Sequence, residues 1–149
     1  MPTPIEEAVE KLRASTIQLN KASDELATIV RDVENFLESC GVGVSAEVVV
    51  QSYEDEHGQP KRDTVLGYGK YGGRFRVLVS EHYYNGADSD VSAWSDCSRD
   101  EKLLAAKKLP LLFAELVKSV ETKTAETREL AAELTQELKP ILKPGKAGK

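Results

Sequence analysis

The residues with the most chemistry within reach of one another lie between positions 61 and 76. Gly67-Tyr68-Gly69-Lys70-Tyr71-Gly72 has the spacing G-x-G-x-x-G, in which glycines let a backbone turn approach a pyrophosphate that a helix N-terminus then holds. That chemistry requires a helix after the last glycine. Arg74 to Ser80 instead alternates like a strand, so the glycines read as turn residues of a hairpin. A protein kinase also covers phosphate with a glycine-rich hairpin, but no H-R-D or D-F-G pattern follows here. The same stretch gathers Lys61, Arg62, Lys70, Arg74 and Arg76 around Tyr68 and Tyr71, the composition of a surface that grips a phosphate backbone and stacks bases. These seven residues are the candidate surface for nucleic acid or another partner. Glu54, Asp55 and Glu56, just before them, work against a strong positive field.

Metal and covalent chemistry find less support. His57 and His82 are the two histidines, and neither has a second histidine or a cysteine at ligand spacing. Asp88, Asp90 and Asp96 resemble part of a calcium loop without its central glycine and closing glutamate, and read as turn aspartates. Cys40 and Cys97 are too few and too far apart for a zinc site or a disulfide framework, and are expected to be free thiols. There is no nucleophile elbow and no H-E-x-x-H. No catalytic, cofactor-binding or metal-ligating residue is therefore expected, no cofactor is implied, and the chain reads as something other than an enzyme.

The elements that would position these residues are more legible. At 149 residues, 40% hydrophobic and 30% charged, the composition is that of one soluble globular domain over 1–149. Its net charge of −5 divides into −4 for residues 1–40, −4 for 41–97 and +3 for 98–149, so no basic face dominates. No apolar run approaches the roughly 18 residues of a membrane span. The start, Met1 to Glu7, lacks a basic region followed by an apolar core, so a cytoplasmic location without membrane contact is expected.

Residues 1–40 form one long helix: Thr3 can cap, Pro4 suits the first turn and Glu6 completes a capping box. Steps of four and three from Ile5 reach Val9, Leu12, Thr16, Leu19, Ser23, Leu26, Val30, Val33 and Leu37, a coiled-coil seam. Gly41 and Gly43 stop it. Residues 98–139 form the second helix, opened by the Ser98-Arg99-Asp100-Glu101 capping box and kinked or split near Pro110. Its seam runs Phe113, Val117, Val120, Thr124, Thr127, Ala131, Leu134, Leu138 and Ile141, and a basic tail follows over 140–149. The weak positions of both seams fall at their middles. Laid antiparallel, Ile5 meets Ile141, Leu12 meets Leu134 and Val33 meets Phe113. Ile17 and Leu130 lie off the seams at one level of this rod and are candidates for self-association.

Between the helices, residues 44–97 form a β head. Strands are expected at 44–53, 64–68 and 74–80, with Val48, Phe75, Val77 and Val79 facing the core and a polar loop over 54–62. A short edge strand could follow near Val91. The expected fold is α+β: N- and C-terminal helices paired antiparallel, coiled-coil-like, around a three-stranded antiparallel meander. Such a chain is expected to be a structural or interaction protein, binding a protein partner or itself as a homo-oligomer through its head or stalk. The alternative is a small nucleic-acid-associated factor using the 61–76 hairpin.

Overall fold

The computed structural model describes residues 1–142. Helix α1 spans Pro4–Ser39 and starts where the sequence places it, with the Thr3 hydroxyl accepting the Glu6 N–H at 3.2 Å. It ends as Gly41 turns into the left-handed region at φ +70°, which lets the Val42 N–H reach back to the Leu37 carbonyl at 3.1 Å. Strands β1 (Ala46–Glu54), β2 (Pro60–Tyr71), β3 (Arg74–Tyr83) and β4 (Asp90–Ala93) then form one antiparallel sheet in the order β1-β2-β3-β4. The sheet thus has four strands rather than three, because Asp90 to Ala93 pairs with Glu81 to Leu78. The loop expected over 54–62 shrinks to a tight turn. The Asp55 carboxylate accepts the N–H groups of His57 at 2.8 Å and Gln59 at 3.0 Å, freeing Pro60, Lys61 and Arg62 to begin β2.

After a 3-10 turn at Trp94–Asp96, α2 covers Arg99–Ala106 and α3 covers Leu109–Glu137. The Ser98 capping box is complete, its hydroxyl accepting the Glu101 N–H at 3.3 Å and its own N–H reaching the Glu101 carboxylate at 3.4 Å. Ser98→Ala should therefore cost about 1 kcal/mol of stability in a urea titration followed by Trp94 fluorescence; an unchanged midpoint would show the cap to be idle. Pro110 splits the helix rather than kinking it. It occupies the first turn of α3, where its missing N–H has no partner to lose.

Helices and sheet share one core. Leu66, Tyr68, Val77 and Val79 of the sheet pack with Val30 and Leu37 of α1, Ala105 of α2, and Leu109, Leu112 and Leu116 of α3. Trp94, 2% exposed, lies in the same cluster, and its Nε1–H donates to the Lys102 carbonyl at 3.1 Å.

The expected antiparallel pairing of the two long helices does not occur within the chain. That register puts Thr124 opposite Ser23. Instead Thr124, with Val120, Lys123, Thr127 and Arg128, shares an open groove with residues 40–44, while the Ser23 hydroxyl accepts from Arg99 Nε at 3.3 Å. Phe36 and Phe113 meet with ring centroids 6.5 Å apart, so α1 and α3 advance across the head in the same sense. The physical reason lies in which stripe of α3 is buried. Leu109, Leu112 and Leu116 face the core, one position round from the seam residues Phe113, Val117 and Val120. The sheet, not α1, therefore claims the apolar face of α3, and the route through β4, Trp94 and α2 sets its direction.

Candidate interaction surfaces

The seven candidate residues of the 61–76 region do not form one surface. Tyr68 is 2% exposed and stacks on Phe75 at 5.4 Å between centroids; burial raises its hydroxyl pKa. Arg62 lies at the other end of the sheet, 2.6 Å from Glu81 and 3.8 Å above the centre of the Tyr53 ring. The Glu81 hydrogen bond holds its guanidinium pKa above the ordinary arginine value. Arg74 pairs with Glu38 at 3.7 Å. Arg76 lies 3.7 Å from Glu34 and donates to the Ser95 hydroxyl at 2.9 Å. Lys61, Lys70 and Tyr71 are exposed, but Lys61 is at one end of β2 and the other two are at the opposite end, about 30 Å away along the strand. Three of the five cations thus have a carboxylate partner.

Sequence reading missed those partners. Glu34 and Glu38 stand one helical turn apart on α1, and Arg74 and Arg76 two apart on β3. The matching spacings are the only signal that could have joined them. Glu34 does more than pair. Its Oε2 accepts the Val77 N–H at 2.7 Å, filling the β3 edge beyond the end of the short β4.

The remaining polar groups serve the fold. Thr64 donates to Glu81 at 2.8 Å, Tyr83 to Asp90 at 2.8 Å and Tyr84 to Asp63 at 2.8 Å, so Asp90 is a hydrogen-bond acceptor from β3. His57 sits in the β1–β2 turn, and His82 is 3.7 Å from Glu47. Among the described residues no cluster of three or more histidine, cysteine or acidic side chains could hold a metal. On the sheet face away from the core, a shallow depression floored by Gly67 and edged by Glu47, Leu78 and Ser80 gathers no cations.

Asp63 offers a pH test. The Ser52 hydroxyl lowers its pKa most, although it makes no well-formed hydrogen bond to the buried Oδ1, and the Tyr84 hydroxyl lowers it next. A depressed carboxyl contributes stability above its unfolded pKa, and that contribution is lost as pH falls through the folded value. In a carboxyl NMR titration Asp63 should titrate below 3.8, and Tyr84→Phe should move it upward. No movement would remove Tyr84 from the account.

The two cysteines are free, Cys40 exposed and Cys97 half-buried. Burial pushes the Cys97 thiol up to about 11, and its Sγ lies 3.5 Å from the Ala93 carbonyl. The thiolate is the reactive form. At pH 8 iodoacetamide should therefore label Cys40 quickly and Cys97 slowly, by mass spectrometry of tryptic peptides. Equal labelling would contradict the buried setting of Cys97.

Exposed apolar side chains are concentrated on the helix ends. Every residue from 1 to 22 and from 120 to 142 is exposed. The α1 arm carries Ile5 at 70%, Leu12 at 66% and Ile17 at 65% exposure; the α3 arm carries Leu130 at 54%, Leu134 at 40% and Ile141 at 76%. Residues 4–22 and 120–137 make arms of nearly equal length, each about 28 Å. They leave the head at different ends of the α1 segment that packs on it, the α1 arm beside Arg99 and the α3 arm beside residues 40–44.

Fold and surfaces together define an α+β protein with a sheet-and-helix head and two helical arms that no described residue covers. No family model, curated protein or solved structure matches the chain. Among the described residues no helix is long and apolar enough to cross a membrane.

Proposed function

We propose that this is a structural or interaction protein that binds another macromolecule through its helical arms, the head serving to fix their positions. The carrying observation is the apolar stripe exposed on both arms, Ile5, Val9, Leu12 and Leu19 on one and Val120, Leu134, Leu138 and Ile141 on the other. Helices in proteins take most of their stability from packing an apolar face, so a partner would both cover the stripe and help to hold the arms helical. Two free thiols fit a reducing compartment, and we place the protein in the cytoplasm on that ground.

The test is affinity capture from the native host with three baits: the unaltered chain, a Leu12→Glu, Leu134→Glu variant, and a Lys70→Ala, Tyr71→Ala variant. Bound macromolecules should be lost from the second bait and kept by the third. Loss from the third alone, together with release by nuclease, would replace this reading with nucleic-acid binding by the hairpin.

A further inference from the structure

We infer that the partner of the arms is a second copy of this chain, with the α1 arm of each copy lying antiparallel along the α3 arm of the other; this rests on the proposal that the arms are the binding elements. The stripes match each other in a way that a single chain cannot use. Both step by four and three residues, and both weaken to small or hydroxylated side chains in their inner parts, at Thr16 and Ser23 on α1 and at Thr124, Thr127 and Ala131 on α3. Their flanks match as well. Along one flank of the α1 stripe stand small residues, Ala8, Ser15 and Ala22, whereas Lys123, Leu130 and Glu137 stand at the equivalent positions on α3; the other flanks carry Glu6, Arg13 and Asn20 on α1 and Leu142, Thr135 and Arg128 on α3. Equivalent flanks face each other in an antiparallel pair, so large meets small along the first and no like charges oppose along either. Leu130, off the stripe, thereby gains a place to pack.

The fold supplies the geometry. Phe36 and Phe113 stand at one level, and from there α1 runs back about 31 residues to Ile5 while α3 runs forward about 28 to Ile141. A two-fold axis across the helices at this level turns the partner's α3 arm back along the α1 arm. The two tips then reach the same depth to within about one helical turn. Both arms of both copies are covered at once, and the symmetry closes. Ile29 and Phe36, each 55% exposed, and Val117 at 56% lie near this level and continue the apolar surface across the head, where α1 and α3 of the two copies would form a four-helix layer.

Sedimentation equilibrium on the full chain tests this. The expected mass is twice 16.4 kDa. Leu12→Glu alone and Leu134→Lys alone should each raise the dimer dissociation constant by about 100-fold or more, because each homodimer buries two unpaired charges. Mixing the two variants should restore a dimer, since one interface then holds a Glu–Lys pair and the other is unaltered. Far-UV circular dichroism and Trp94 fluorescence confirm that each variant's head is folded. A monomeric unaltered chain at high micromolar concentration would overturn the second copy as partner and leave the arms to another macromolecule. A dimer indifferent to both variants would place the contact elsewhere and remove the arms as binding elements. Two disrupting variants that fail to recover on mixing would mean that like arms pair, α1 with α1 and α3 with α3, and would overturn the exchange.

Discussion

Trp94→Ala should lower the stability of the head by about 3–5 kcal/mol, the range for deleting a buried aromatic from a core. The indole is 2% exposed and belongs to the cluster that joins the sheet to α1 and α3. It also closes the connection between β4 and α2, through the Nε1–H bond to the Lys102 carbonyl and the Lys102 ammonium 5.3 Å above the ring. Alanine would leave a cavity and remove that bond. Typical domains have only about 5–15 kcal/mol in total, so the variant should melt well below the unaltered protein. Trp94→Phe keeps much of the ring, loses the donor and should fall between the two. Urea unfolding followed by far-UV circular dichroism measures all three, since the variants lack the fluorophore. A loss under 1 kcal/mol for alanine would mean that the core does not depend on this wedge.

Glu34→Ala should be the next most costly change, at about 2 kcal/mol, although it removes a polar side chain from a helix. The Val77 N–H has no other partner where β4 ends, and Val77 is 0% exposed. A buried donor left unsatisfied costs about 1–3 kcal/mol. The Arg76 guanidinium, 3.7 Å from the same carboxylate, keeps only Ser95 as a partner. Because Arg76 is partly solvated, the ion pair itself adds little. Glu34→Gln retains an acceptor oxygen and should recover most of the loss. Hydrogen exchange provides a local readout: the Val77 amide should be protected in the unaltered protein and in Glu34→Gln, and exchange rapidly in Glu34→Ala. Equal protection in all three would show that another group satisfies the amide.

Much of the fold was legible because it is written in local terms. Thr3, Pro4 and Glu6 start one helix and Ser98 and Glu101 another, since capping needs only residues within one turn. The alternation of Phe75, Val77 and Val79 marks a strand face, and all three contribute to the core. The short β4 was the weaker signal. Four residues with one pairing partner carry too little periodicity to separate from a loop.

What the sequence determined by itself is therefore the order and kind of the elements, and the presence of two apolar stripes with matching steps. What only the tertiary structure decided is which stripe faces what. Heptad spacing says that a helix has an apolar side to bury; it carries no address for the surface that buries it. Here the sheet takes Leu109, Leu112 and Leu116 and leaves Val117 and Val120 outside, so the two long helices do not form a hairpin. The candidate basic surface came apart for the same reason. Composition brought Arg62, Arg74 and Arg76 together within a short stretch of chain, while an extended strand carries its two ends about 30 Å apart. Carboxylates some 20 to 40 residues distant in sequence, Glu81 from β3 and Glu34 and Glu38 from α1, reach those arginines only once the chain has folded.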